Sequence, residues 1–193
     1  DIPDVGQQLA VLTKREDLLS TPFSGTKTNV SYSSGALQLT NPASNATGTY
    51  AFADTLDLGG VFTLTLRSHI QILGVLIGSN IDDVPDFDNI ANFDGDPAND
   101  TDCQVFVKTS TDASSYGSFN AFANGEFRAR AFQFKADLST TNTNQNINVQ
   151  QLGYSAILQS RTEQSTTTIA SGAGAKNVTF AKPFFVGTAS LGG

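Results

Sequence analysis

Apolar and polar residues alternate along residues 61–73, and this alternation constrains the fold more than any other feature of the sequence. A period of two is that of a β-strand, and a shift of one residue would turn every side chain to the opposite side. Residues 57–60, with their Gly-Gly pair, are predicted to form the turn that precedes this strand. The apolar side comprises Phe62, Leu64, Leu66, Ile70 and Ile72, and the polar side comprises Thr63, Thr65, Arg67, His69 and Gln71.

A second predicted strand, residues 127–138, changes phase near its middle. Its apolar residues are Phe127, Ala129 and Ala131 at odd positions, then Phe132, Phe134, Ala136 and Leu138 at even positions. A β-bulge near Ala131 and Phe132 would explain the slip, because one extra residue returns the later side chains to the buried side. We therefore expect Arg128, Arg130, Gln133 and Lys135 all to point outward.

Shorter runs separated by turn residues continue this pattern along the chain. They lie at residues 36–40, 49–53, 103–107, 152–158, 178–180 and 184–190. The predicted fold class is all-β: an antiparallel β-sandwich, jelly-roll-like, with long loops and at most a short N-terminal helix. Residues 1–25 are predicted to be an N-terminal arm or linker, and residues 26–193 the β-sandwich domain.

Composition narrows the classes of partner. Only 15% of the residues are charged and the net charge is −7, so nucleic acid is not expected as a partner, because phosphate binding needs clustered Lys and Arg. No apolar run approaches the roughly 20 residues of a membrane-spanning helix, so the chain is not expected to be embedded in a membrane. The sequence contains no Met, and we expect a processed product or a piece of a longer chain.

Cys103 is the only cysteine, so no disulfide can form within the chain. We expect a buried structural thiol, with stability coming from packing or oligomerisation. His69 is the only histidine, and its place on the polar side of a strand favours a solvated or cross-strand role over catalysis or metal binding.

An acidic stretch, residues 82–102, is the main candidate for metal chemistry. It holds Asp82, Asp83, Asp86, Asp88, Asp94, Asp96, Asp100 and Asp102. Calcium takes oxygen ligands from Asp- and Gly-containing loops, but the spacing does not match a twelve-residue EF-hand loop. The favoured interpretation is a solvated loop, so no metal ligand or cofactor is assigned, and calcium binding is kept as the alternative.

No catalytic residue is predicted. The chain contains no Gly-x-Ser-x-Gly nucleophile motif. Two carboxylates of the acidic stretch would serve a glycosidase, but nothing in the sequence selects a pair. We therefore expect a protein that is not an enzyme.

An ordered set of landmarks resembles the tail-fibre and tail-tip host-specificity proteins of bacteriophages. The resemblance covers residues 48–189, and its sharpest element is Phe127-Arg128-Ala129-Arg130-Ala131-Phe132. The other landmarks are residues 57–59 leading into 61–68, the segments 92–95, 105–109, 116–125 and 149–152, and residues 178–180 with Phe184 after them.

This resemblance implies a virion structural protein of a phage tail tip or fibre, which contributes to host-surface attachment or tail assembly. The implied partners are other tail proteins and a host-surface receptor such as a glycan, and the implied assembly is a homotrimer. Residues 81–102 and the loop at 110–118 are the natural places for recognition, since loops vary while sheets hold them. The alternative function is a secreted carbohydrate-binding β-sandwich module, with or without calcium.

Overall fold

The computed structural model describes residues 11–77 and 100–159. These residues contain ten strands in one antiparallel sheet and a single short 3-10 helix, Glu16–Leu18. The predicted all-β, antiparallel class is confirmed. The strands are β1 (Val11–Arg15), β2 (Thr26–Thr28), β3 (Val30–Ser33), β4 (Ala36–Leu39), β5 (Thr47–Ala51), β6 (Leu56–Leu76), β7 (Thr101–Ser110), β8 (Asn120–Ala121), β9 (Gly125–Thr140) and β10 (Gln145–Leu158).

The sheet follows the order β2-β5-β9-β6-β10-β4-β3, with β1 added to β10 and β7 added to β9. Its two ends approach each other, because β2 and β3 are consecutive in the chain. Thr40 N donates to Asn29 O at 3.0 Å beside this junction. Gly48 of β5 lies so close to β3 that a Cβ there would meet Val30 Cγ1 at 2.6 Å. The sheet is therefore nearly closed and barrel-like.

The core lies between facing parts of this bent sheet. Phe134 of β9 stacks on Tyr154 of β10 with ring centroids 4.2 Å apart, although β6 separates these strands in the sheet. The ring of Phe52 also packs against the rings of both Phe134 and Tyr154. Aromatic side chains of this size supply much of the buried apolar area in a core. Leu37, Leu64, Leu66, Leu138 and Leu152 are also fully buried.

The predicted phase slip in β9 is confirmed. Ala131 and Phe132 are consecutive and both fully buried, whereas Arg128 is exposed and Lys135 is half-buried. The irregularity in pairing lies in the partner strand β6. Ala131 of β9 pairs with Asp57 and Ala129 pairs with Phe62, so β6 has extra residues between these two pairs. The turn predicted at residues 57–60 is wrong, because this segment lies inside β6 as the extra length of a bulge, with Gly59 at a φ of 74°.

The predicted apolar side of β6 is buried along only part of its length. Leu64 and Leu66 are fully buried, but Ile70 and Ile72 are 39% and 42% exposed. Residues 62–66 pair with β9, and residues 64–76 pair with β10. Within the described part of the chain, residues 67–76 therefore have a neighbouring strand along one edge only. We call the other edge of these residues the open edge of β6.

The described part of the predicted N-terminal arm belongs to the sheet and the core. β1 pairs with β10 from Val11 opposite Ile157 to Arg15 opposite Gly153. The Glu16 carboxylate is fully buried, and its Oε2 accepts from Tyr50 Oη at 2.5 Å and from Ala53 N at 3.2 Å. Burial raises the pKa of Glu16.

Candidate functional site

The two single-copy residues noted in the sequence have structural roles. Cys103 is buried on the inward side of β7, and burial raises the pKa of its thiol to about 12. His69 Nε2 lies 2.6 Å from Ser155 Oγ of the neighbouring strand β10, which is the expected cross-strand contact. Neither residue is placed for nucleophilic or metal chemistry by its described neighbours.

Most of the acidic stretch lies outside the described residues, and only Asp100 and Asp102 fall within them. Asp100 accepts from Asn142 Nδ2 and Gln145 Nε2, both at 3.3 Å, so its carboxylate organises the turn between β9 and β10. Residues 11–77 and 100–159 contain no group of three or more His, Cys, Asp or Glu side chains placed to hold a metal ion.

The strongest candidate for a binding site lies on the outward side of β7 and β9. In β7, Cys103, Val105 and Val107 point into the core, so Phe106 and Lys108 point outward. Phe106 lies directly opposite Lys135 of β9 in the pairing. Tyr116 and Phe119, from the loop after β7, complete the cluster. We call Phe106, Lys108, Tyr116, Phe119 and Lys135 the lysine–aromatic face.

Lysine ammonium groups lie against the aromatic rings of this face. Lys108 Nζ lies 5.2 Å from the centre of the Tyr116 ring and 4.8 Å from that of Phe119. Lys135 Nζ lies 4.7 Å from the centre of the Phe106 ring and 5.4 Å from that of Phe119. Each such cation–π contact contributes about 0.5–1 kcal/mol at an exposed site. The rings and the ammonium groups therefore hold one another in place.

A hydrogen-bonded turn brings the loop back over the sheet. Asp112 Oδ1 accepts from Ser114 N at 2.8 Å, Ser115 N at 2.7 Å and Ser110 Oγ at 2.7 Å. These bonds hold the pKa of Asp112 well below its usual range. Gly117 N then donates to Thr109 O at 3.1 Å, which returns the chain to β7 just before Phe119. The aromatic residues thus stand on a constrained loop.

The two lysines of the face differ in their charge partners. Lys135 Nζ lies 2.5 Å from Asp137 Oδ2, and the other oxygen of Asp137 accepts from Thr49 Oγ1 at 2.8 Å. Lys108 has no carboxylate within ion-pair distance among the described residues. The positive charge of Lys135 is therefore compensated by an aspartate, whereas no carboxylate of residues 11–77 and 100–159 compensates that of Lys108.

A second surface of interest is the open edge of β6. Apolar side chains are exposed there on both sides of the strand, with Leu73 at 51% and Ile72 at 42%. Ile70, Leu76 and Ile77 are exposed as well. An apolar strand with one unpaired edge is suited to pair with, or pack against, another segment of chain.

Alternation in the sequence indicates the outward direction of three of the five residues of the lysine–aromatic face. The alternation predicted that Lys135 points outward. The apolar set Cys103, Val105 and Val107, at alternate positions in the sequence, indicates the same direction for Phe106 and Lys108. Tyr116 was recognised as part of the loop at residues 110–118, and Phe119 only as part of the landmark at residues 116–125. Their approach to Lys108 depends on the turn at Asp112, and the Asp112-Ala113-Ser114-Ser115 run was the one local signal for that turn.

Comparisons of the chain with protein-family models, with curated proteins and with solved structures gave no match. Among the described residues, no helix has the length and apolar character needed to cross a membrane.

Proposed function

We propose that this chain is a virion structural module of a phage tail tip or tail fibre, and that it attaches to a host-surface glycan through the lysine–aromatic face. The observation that carries the attachment is the gathering of three aromatic rings and two ammonium groups on one outward surface. The viral setting rests on the resemblance of residues 48–189 to phage host-specificity proteins. The acting location is the virion, outside the host cell.

The chemistry of the face supports binding rather than turnover. Aromatic side chains combine apolar area with directional contacts, and amide and ammonium groups beside them supply hydrogen bonds to a polar ligand. Gln104 is exposed next to Phe106, and Gln133 pairs with Lys108 across the two strands. A constrained loop on a rigid sheet is a common place for recognition, because the sheet fixes the positions of the contacting groups.

The open edge of β6 supports the assembly part of the proposal. Exposed Ile70, Ile72 and Leu73 would be removed from water if the edge met another copy of the chain or another tail protein. A homotrimer is the assembly expected for a tail protein of this kind. Light scattering on the full chain measures the mass directly, and a strictly monomeric chain that binds neither host cells nor tail proteins would contradict the proposal.

The attachment is tested with an array of bacterial surface polysaccharides and the full-length chain. We expect binding that falls at least tenfold in Phe119→Ala, because that ring contacts both lysines of the face. Tyr32→Ala is the matched control, since Tyr32 is an exposed aromatic residue of β3 outside the face. Equal thermal melting of the variants shows that the fold is intact.

The outcomes separate the proposal from its alternative. Loss of binding in Phe119→Ala with retention in Tyr32→Ala supports attachment through the face. Binding that is confined to plant or animal polysaccharides favours a secreted carbohydrate-binding module, and loss of that binding with a chelator would identify its calcium-dependent form. No binding to any surface polysaccharide or host cell would refute the attachment role.

A further inference from the structure

We propose that the lysine–aromatic face recognises an acidic glycan, and that Lys108 binds a carboxylate or phosphate group of that glycan. This inference rests on the proposed attachment function and specifies the chemical class of the ligand. Phe106, Tyr116 and Phe119 act as the support that holds the ammonium groups in position, and Lys108 makes the ligand contact.

No carboxylate in the described part of the chain pairs with Lys108, and this leaves its charge for a ligand. Four other cationic side chains, Lys14, Arg15, Arg130 and Lys135, each pair with an aspartate in the described part of the chain. Lys108 instead lies half-buried against the rings of Tyr116 and Phe119. A ring stabilises an ammonium group without neutralising it, so Lys108 keeps its own charge and its position is set before a ligand arrives.

The position of the ammonium groups disfavours simple stacking of a neutral sugar. Phe119 has the Nζ atoms of Lys108 and Lys135 at 4.8 and 5.4 Å from its ring centre, and Phe106 has Lys135 at 4.7 Å. A sugar that stacked on a ring face covered in this way would displace an ammonium group and lose its cation–π contact. An anionic group can approach Lys108 while the contacts with the rings stay in place.

The charge of the whole chain limits the density of charge on the ligand. A net charge of −7 repels a densely anionic polymer such as nucleic acid. A glycan with separated acidic groups between neutral sugars can place one anion at Lys108, and its neutral hydroxyl groups can meet the neighbouring Gln104 and Gln133. This combination favours an acidic polysaccharide over nucleic acid.

The test measures affinity of the full-length chain for three polysaccharides. Hyaluronan supplies isolated carboxylates, phosphorylated mannan supplies phosphates, and dextran is the neutral reference. We expect binding to at least one acidic probe that exceeds binding to dextran by about tenfold, the worth of one hydrogen bond to a charged group. The preferred acidic probe identifies the anion. The preference for the acidic probe over dextran should decline as salt is added, because salt screens the attraction between the charged groups.

Substitution at Lys108 assigns the effect to this residue. Lys108→Gln should remove the preference for the acidic probe, and Lys108→Arg should retain most of it because the charge is kept. Lys27→Gln is the matched control: Lys27 Nζ also lies over a tyrosine ring, 5.7 Å from the centre of Tyr50, but outside the face. Melting temperatures of the three variants verify folding.

The results distinguish failure of this inference from failure of the proposed function. Equal affinity for dextran and the acidic probes, or an acidic preference that survives in Lys108→Gln, overturns the inference. If that binding still falls in Phe119→Ala, the attachment function stands with a neutral ligand. Absence of binding to all three probes and to the bacterial surface polysaccharides would overturn both proposals.

Discussion

The two halves of β6 have the same alternating sequence pattern but different surroundings. In residues 56–66, Leu64 and Leu66 are fully buried and lie between β9 and β10. In residues 67–76, Ile70 and Ile72 continue the same side of the strand but are 39% and 42% exposed. Their partners in β10, Leu152 and Val149, are fully buried.

Alternation of apolar and polar residues is often taken to indicate both the side of a strand that a residue occupies and its burial. The two halves of β6 show that these are separate properties. Alternation determines which residues share a side of a strand, because successive side chains of an extended backbone point in opposite directions. Burial also requires other parts of the structure to pack over that side of the strand. Among the described residues, the first half of β6 therefore packs in the core, and the second half keeps exposed apolar side chains and one edge without a partner strand.

The largest expected effect is a difference in stability between two leucine truncations in β6. Leu66→Ala should lower the free energy of unfolding by about 2–5 kcal/mol, because it leaves a cavity in a packed core. Leu73→Ala makes the same chemical change at a side chain that is 51% exposed, and should cost less than about 1 kcal/mol. Urea unfolding of both variants measures the difference. Equal losses would contradict the distinction between the halves.

A charge on the second half should act on assembly rather than on folding. Ile72→Lys places an ammonium group among the exposed apolar side chains of the open edge, so it should shift the assembled chain towards monomer in light scattering, with little change in melting temperature. Ser33→Lys adds the same charge at an exposed position of β3, outside the open edge, and is the control. If Ile72→Lys left the mass unchanged, the open edge would not be the contact between copies.

The bulge in the first half predicts a smaller effect at one glycine. Gly59 has a φ of 74°, where a side chain costs about 1 kcal/mol, although a Cβ there would meet nothing within 4 Å. Gly59→Ala should therefore destabilise the chain through its backbone alone. Gly125→Ala is the control, since its Cβ would also meet nothing within 4 Å and its φ is not positive. If Gly59→Ala and Gly125→Ala gave similar unfolding curves, the positive φ at Gly59 would not carry the expected energetic cost.

The smallest expected effect is a dependence of stability on pH that arises from Asp57 in the first half of β6. Asp57 accepts two hydrogen bonds from Arg130, at 2.9 and 3.0 Å, and these lower the pKa of Asp57. A lowered pKa in the folded state contributes stability above about pH 4, and this stability is lost as the pH falls below that value. Residues 67–76 contain no Asp or Glu and make no such contribution.

Urea unfolding at pH 7 and pH 3 tests this contribution in the wild type and in Asp57→Asn. The wild type should be the more stable at pH 7, and the difference should be smaller at pH 3, because the stability contributed by a lowered pKa is lost as the pH falls below the pKa of the unfolded state. If the wild type exceeded Asp57→Asn in stability by the same amount at both pH values, the ion pair between Asp57 and Arg130 would be ruled out as the source of the difference.

Much of the framework was predictable from local patterns. The phase slip at Ala131 and Phe132 and the outward direction of Lys135 follow from the period of an extended chain. The burial of Cys103 follows from the apolar character of a free thiol. The N-terminal residues show the limit of such reasoning. Leu12 and Lys14 alternate over too short a run to identify a strand, and the place of β1 beside β10 depends on Ile157, Ala156 and other residues far along the chain.

The candidate site divides in the same way. The sequence by itself determined that Phe106 and Lys108 share the outward side of β7, because that property is local to the strand. Only the tertiary structure decided that Tyr116 and Phe119 meet Lys108 and that the apolar side of β6 leaves the core after Leu66. Those features depend on hydrogen bonds that fold a loop back over the sheet and on where a neighbouring strand ends, and neither is encoded in the alternation of a single strand.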